Sequence, residues 1–329
     1  MLSNELVRKG HTVDVIAKDT DEQNLFRVVQ FNESHFSMKD ESYRPTSEER
    51  GQQNYQSLQY GLFDTSQYDV IHYNSYVPEM YEMGALHDVP SVVTLRLPPF
   101  KKFKILYRLF VKNKGATAVA ISSRMQKQWQ NVLNTHPVTI LNGIELDRWP
   151  LREKSQNGYL LWSGRIAKEK NVEAAIQIAN YLHMPLKIVG PIFDNDYYEV
   201  HVKPHLNDHI EHVTHTTQSQ ISEVAAGASI ALATALWDEP FGLSTVEMLA
   251  SGIPVLGFST AIPPELRHDS VSIAVDSDDW RDLVPHIEKL KNAYPSDCRE
   301  FAQQFSISKT ADAYINLFKN VIGRVRNNE

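Results

Sequence analysis

Tyr159-Leu160-Leu161-Trp162-Ser163-Gly164-Arg165-Ile166-Ala167-Lys168-Glu169-Lys170-Asn171-Val172 is the stretch that decides the fold. Tyr159–Ser163 is an apolar run of strand length, and Gly164 stops it. From Val172 onward, Val172, Ala175, Ile176, Ala179 and Leu182 recur at helical spacing, so one face of a helix turns inward. A strand that runs through a short loop into an amphipathic helix is the repeating half of a parallel α/β sheet. The loop then sits at the carboxyl edge of the sheet, where cations such as Arg165 and Lys170 commonly hold phosphate. Taken alone, a solvated charged loop is the commoner explanation for them.

The same grammar extends in both directions. Downstream, strands fit Leu186–Val189, His212–Thr214, Ile230–Ala233 and Pro254–Phe258, and helices fit Gln220–Ala226, Ser244–Ser251 and Asp279–Ala293. Upstream, residues 1–9 read as a helix ended by Gly10. His11–Ala17, Tyr68–Tyr73, Ser91–Leu95 and Ala116–Ser122 read as strands, with a helix over Ser123–Val132 and a long loop from about 31 to 56. The polar, Pro- and Gly-broken segment from Asp147 to Gly158 places a boundary near Trp149-Pro150. The fold class is therefore α/β, two doubly wound units with a cleft between them, a favoured place for ligands.

Composition narrows the function classes. The 329 residues exceed what one core usually serves, and 42% apolar with 22% charged residues is ordinary for a soluble protein. A net charge of −7 excludes a general nucleic-acid binder. Cys298 is the only cysteine, so neither an intrachain disulfide nor a cysteine metal cluster can form. No apolar run reaches the roughly 18 residues of a membrane span. The charged start, Met1 to Lys9, lacks the apolar stretch of a signal peptide, so cytoplasmic residence is expected.

Trp237-Asp238-Glu239-Pro240-Phe241-Gly242-Leu243-Ser244-Thr245-Val246-Glu247 carries the sharpest chemical signal. Two carboxylates flank a Pro/Gly turn that opens a helix. Backbone amides at such a turn face an anion, and the carboxylates accept hydrogen bonds from hydroxyls. That combination suits a sugar joined to phosphate. The plainer reading is a capping box, Ser244 with Glu247, which would merely start the helix. A third segment, Thr139 to Trp149, is a strand running into an Asn-Gly turn at the expected join.

Read together in order, Tyr-Asp-Val-Ile-His (68–72), Leu-Asn-Gly-Ile-Glu-Leu-Asp-Arg-Trp (141–149), Ser-Gly-Arg-Ile-Ala-Lys-Glu-Lys (163–170), Glu-Pro-Phe-Gly-Leu (239–243) with Glu247, and Leu-Ala-Ser-Gly-Ile-Pro-Val (249–255) resemble glycosyltransferase family 4. The resemblance spans nearly the whole chain. It implies the GT-B architecture of two Rossmann-like domains facing across a cleft: 1–149 on the acceptor side, 150–304 for the donor, and 305–329 as a helix crossing back to the first domain. It also implies transfer of a sugar from a nucleotide-diphosphate sugar to a glycan, lipid or small-molecule acceptor, with retention and without a metal or further cofactor. On that reading Arg165 and Lys170 grip the diphosphate and stabilise its departure. Glu239 holds donor-sugar hydroxyls and Glu247 the ribose. Gly242, Leu243 and Ser244 line sugar and phosphate through their backbone, and His215 or a neighbour on the 213–218 loop touches the base.

Two departures stand out. Arg96 occupies the place after Ser91–Leu95 where the family usually has a histidine near the transferred sugar. Arginine donates hydrogen bonds but exchanges no proton near neutral pH. His72, one strand earlier, reads as a buried structural histidine. The family also begins with a strand and Gly-rich loop ahead of the helix at residues 1–9; without that central strand, two strands are expected to lack a backbone partner. These departures favour, as the alternative, a non-catalytic sugar-nucleotide-binding member or partner subunit. A sugar-nucleotide epimerase on the same architecture is a weaker third reading.

One segment stands outside this scheme. Lys101 to Lys114 holds six basic residues and no acidic one. On a helix Lys101, Lys104, Arg108 and Lys112 share a stripe, opposite Phe103, Leu106, Tyr107, Phe110 and Val111. A core helix with a solvated basic face is the commoner explanation. Contact with an anionic acceptor, or with the inner face of a membrane, is the functional one.

Overall fold

The computed structural model describes residues 1–17, 24–30, 59–74, 78–153, 158–214 and 217–326. The expected loop at 31–56 and His215 lie outside them. The chain divides into two compact units, Met1–Leu141 with Thr310–Glu329, and Asn142–Lys309.

The first unit opens with helix α1 (Leu2–Arg8), followed by Gly10 at φ +89°, a turn that glycine takes without Cβ strain. Strands β1 (Asp14–Ile16) and β2 (Arg27–Val29) form a parallel pair. Strands β3 (Ile71–Tyr73), β4 (Ser91–Leu95), β5 (Thr117–Ala120) and β6 (Val138–Thr139) form a second parallel sheet, adjacent in that order. Among the described residues no ladder joins the two sheets. Side chains link them instead: the Tyr68 hydroxyl and Arg27 Nε donate to the two oxygens of Asp14, at 2.6 and 3.0 Å. The Arg27 guanidinium holds that carboxyl below its usual range.

Helices α2 (Pro78–Gly84), α3 (Lys101–Lys114) and α4 (Ser123–Leu133) follow β3, β4 and β5 in turn. They gather an aromatic core in which Tyr73 meets Phe110, Tyr81 meets Tyr107, and Tyr107 meets Trp129, edge to face at 4.8–5.2 Å. Another apolar cluster joins Val92, Val119 and Ile140 to Tyr314 and Val321 of the C-terminal helix (Ile307–Arg326). The buried Thr94 and Tyr314 hydroxyls lie 2.8 Å apart.

The second unit is a six-stranded parallel sheet built from β7 (Tyr159–Ser163), β8 (Leu186–Val189), β9 (Ile210–Val213), β10 (Ala228–Ala233), β11 (Val255–Phe258) and β12 (Ser272–Val275). Their spatial order is β12-β11-β10-β7-β8-β9. The chain winds outward from β7 to β9, returns to β10 beside β7, and winds out the other way, a doubly wound sheet whose switch point lies between β7 and β10. Helices α5 (Val172–Leu182), α6 (Asn195–His201), α7 (Gln218–Ala226), α8 (Leu243–Ala250), α9 (Ile287–Lys291) and α10 (Pro295–Ala302) accompany it. Val172, Ile176 and Ala179 are fully buried against Leu160, Ile188 and Ile230, as the apolar spacing of α5 requires.

Three features differ from the sequence expectations. The helix expected over 279–293 is broken into 3-10 turns at Trp280–Asp282 and Val284–His286 before α9, because Pro285 has no N–H to give a continuing helix. Strands β2 and β12 and helices α2, α6 and α10 have no counterpart in that reading. Residues 142–149 also group with the second unit. Ile144 exchanges backbone hydrogen bonds with Phe305 and Ile307, and Arg299 Nη1 donates to the carbonyls of Leu146 and Trp149 at 3.1 and 2.7 Å. Among the described residues, no helix is long and apolar enough to cross a membrane.

Candidate functional site

The switch point brings two loops together at the carboxyl ends of β7 and β10. Gly164 to Asn171 leaves β7 and enters α5 through a 3-10 turn at Lys168–Lys170, closed by Asn171 at φ +51°. Ala235 to Gly242 leaves β10 and enters α8. Thr234 fastens one loop to the other: it accepts from Trp162 Nε1 at 2.9 Å and donates to the Asn171 carbonyl at 2.7 Å. The Leu236 amide adds a bond to the Glu169 carbonyl at 3.0 Å. Side chains on these loops are therefore held by backbone that cannot drift independently.

Lys170 and Glu239, expected on separate motifs, form an ion pair. Trp237 Nε1 donates to the same carboxylate oxygen at 2.9 Å, and the Lys170 ammonium lies 5.0 Å from the Trp237 ring centroid. Side-chain exposures of 17% and 15% keep the pair from full solvent screening. The Glu239 amide bonds the Thr260 carbonyl at 2.9 Å, which fixes the backbone beneath the carboxylate. Arg165 stands more open, its guanidinium 4.3 Å over the Phe193 ring and 3.4 Å from Glu169 Oε1.

Helix α8 starts at Gly242, which adopts φ +83° and makes no side-chain cap. Thr245 and Val246 both return their amides to the Gly242 carbonyl, so Leu243 and Ser244 occupy the first turn, where helix geometry leaves amides pointing outward. The capping box is not formed: Ser244 lies inside the turn it would have capped. Glu247, one turn further in, has no such structural duty. Burial pushes its carboxyl up to about 7.

Beside Arg165 opens a pocket of about 330 Å³, lined by Gly164, Val189, Gly190, Pro191 and Ile221 among others. Gly190, at φ +142°, is required there. A Cβ would meet the Gly164 carbonyl oxygen at 2.0 Å, since the two strand ends approach backbone to backbone. Sequence reading missed Gly190, Phe193 and Thr234, and included Trp237 in its sharpest segment without giving it a role. The Gly-Pro after β8 and the indole two positions before Glu239 were the available signals.

Arg96 belongs to the first unit. Its Nε donates to Asn74 Oδ1 at 3.1 Å, and Asn74 in turn contacts the His72 ring at 3.2 Å. His72 packs against Tyr314 and Phe318 and lies 2.7 Å from Thr94 Oγ1. Burial, with Arg96 adding to it, depresses His72 to about 3, so the ring stays neutral. Among the described residues, no group of His, Cys, Asp and Glu has the arrangement of a metal site.

Comparison with known proteins supports the two halves separately. Residues 1–148 match the Glycosyltransferase Family 4 model and residues 143–306 match Glycosyl transferases group 1. The chain is 24% identical over 130 residues to a GDP-Man:Man(3)GlcNAc(2)-PP-Dol alpha-1,2-mannosyltransferase of Dictyostelium discoideum, a match covering 37% of this chain and 26% of that protein. Among solved structures, sucrose-phosphate synthase from Thermosynechococcus elongatus superposes with a TM-score of 0.79 at 15% identity, over 98% of this chain and 92% of that one. A glycosyltransferase from Rickettsia africae gives 0.75 at 15% identity, over 98% and 93%. HepE of Anabaena, in complex with UDP and glucose, gives 0.69 at 16% identity, over 97% and 95%. The fold is that of the GT-B glycosyltransferases, and with matches running from residue 1 to residue 306 the chain belongs to glycosyltransferase family 4.

Proposed function

We propose that this protein moves a hexose-type sugar from a nucleoside-diphosphate sugar to a glycan, lipid or small-molecule acceptor, with retention of anomeric configuration and without a metal or further cofactor. The Lys170–Glu239–Trp237 cluster, three residues before the turn that opens α8, is the observation that carries this reading. Departure of the diphosphate concentrates negative charge. Lys170, Arg165 and the first-turn amides of Leu243 and Ser244 supply fixed positive charge for it, in place of a cation. Glu239, oriented by the indole, accepts hydroxyls of the transferred sugar once the donor draws Lys170 to its phosphates. Glu247 accepts from the ribose, and the pocket at Gly190 and Ile221 takes the base. The HepE complex with UDP and glucose and the mannosyltransferase relative support a hexose donor.

Arg96 favours a second reading, a family member that binds sugar nucleotide without turning it over. If that reading holds, Arg96→His creates an activity that the natural protein lacks.

Calorimetric titration with UDP, GDP and ADP tests the donor site. One nucleotide is expected to bind in the micromolar range, and Lys170→Ala to weaken it about ten-fold or more, roughly 1.4 kcal/mol. Failure of the folded protein to bind any of the three overturns the assignment.

A further inference from the structure

Helix α3 is the part of the sequence that the donor site does not use. It is 14 residues long, about 21 Å by helix geometry, and Gly115 ends it in a left-handed turn. Tyr107 and Phe110 are buried on its inner face, as expected. The outer face is not simply basic. Lys101, Lys104, Ile105, Arg108, Leu109 and Lys112 are all exposed, and their spacing of three and four residues puts them on one stripe. Ile105 is 68% exposed and Leu109 52%, with Phe100 at the helix start 39% exposed.

A single exposed leucine needs no explanation. Two aliphatic side chains one turn apart, bracketed by four cations, on a helix with no acidic residue, in a protein of net charge −7, form a different pattern. Cations alone would serve an acidic glycan or polypeptide, but such a partner would leave Ile105 and Leu109 in water with no gain from their exposure. An anionic bilayer uses both halves: the aliphatic chains enter the acyl boundary while the long basic side chains reach the lipid phosphates. The net charge of −7 opposes approach to such a surface, so contact falls to a face that is locally basic, as this one is.

We propose that the outer face of α3 docks the protein on an anionic lipid surface, with Ile105 and Leu109 entering it. The inference does not depend on the donor-site reading, since none of these residues is placed in that site.

The test is co-sedimentation of the full chain with phosphatidylcholine vesicles, with and without about one third phosphatidylglycerol. Binding is expected only with the anionic lipid and should fall as salt rises. The Lys104→Glu/Arg108→Glu and Ile105→Ser/Leu109→Ser variants should each lower partitioning roughly ten-fold or more. A variant that needs no loss of function gives a second readout. Cys298 is buried, so Ile105→Cys presents the one accessible thiol for an environment-sensitive fluorophore. Its emission should shift to the blue with anionic vesicles alone. Equal sedimentation with both vesicle types, insensitivity to the aliphatic pair, or an unshifted fluorophore overturns the proposal. So does self-association that depends on Ile105 and Leu109, or tighter binding to heparin that survives their loss.

Discussion

Glu247 is a carboxyl held half-buried with its acid strength reduced, and its titration makes a prediction at the scale of one residue. Its folded pKa, about 7, lies above the unfolded value near 4.5, so the folded state binds the proton more tightly. That contribution to stability is fully present below pH 4.5 and is lost as pH rises through 7. At pH 8 the buried carboxylate costs up to about 3 kcal/mol, at 1.36 kcal/mol per unit. Glu247→Gln should therefore raise the thermal midpoint at pH 8 and leave it nearly unchanged at pH 4.5. If the carboxylate receives ribose hydroxyls, nucleotide affinity should also climb between pH 6 and 8 in the natural protein, and not in the variant. A flat affinity profile would remove Glu247 from the donor site while leaving its burial intact.

At the scale of elements, the loops leaving β7 and β8 meet because Gly190 permits it, and the two glycines at the contact, Gly190 and Gly164, respond differently to a methyl group. Gly190→Ala places Cβ within 2.0 Å of the Gly164 carbonyl at a φ of +142°, whereas Gly164→Ala meets only the Trp162 ring, at 3.4 Å. Urea denaturation should show a loss of about 2–5 kcal/mol for the first substitution and under about 1 for the second. This asymmetry marks what the sequence could and could not disclose. Five of the six strands of the second unit, β7 to β11, were legible, because buried runs such as Leu160–Trp162 and Ile230–Leu232 are apolar without interruption. The edge strand β12 is only part-buried beyond Ser272 and carried no such signal. Arg165, Lys170 and Glu239 were legible as charged residues at loop positions, and Glu247 as a carboxylate in the helix that follows. The partners that orient them, Trp237 and Phe193, read as ordinary apolar residues, and only the fold turns them toward the cations. The capping-box pattern misled for the same reason: Gly242 starts the helix by its backbone, so Ser244 never takes up the cap.

At the scale of the whole molecule, the two units differ in how their sequence is distributed. The second is continuous, residues 142–309, while the first is closed by the C-terminal helix through Tyr314 and Val321. A chain ending at Lys309 should keep slow amide exchange in β7, β8 and β10 and lose it in β4 and β5, measurable by hydrogen–deuterium exchange. Equal protection in both sheets would show that the C-terminal helix is dispensable to the first core. The same arrangement sets the order of events during synthesis. The first 141 residues leave the ribosome early, yet the helix that completes their core follows roughly 170 residues later, a delay on the order of 10–30 seconds at usual elongation rates. Through that interval the N-terminal sheet must wait with Val92, Val119 and Ile140 uncovered, so the half of the protein made first is the half that finishes folding last.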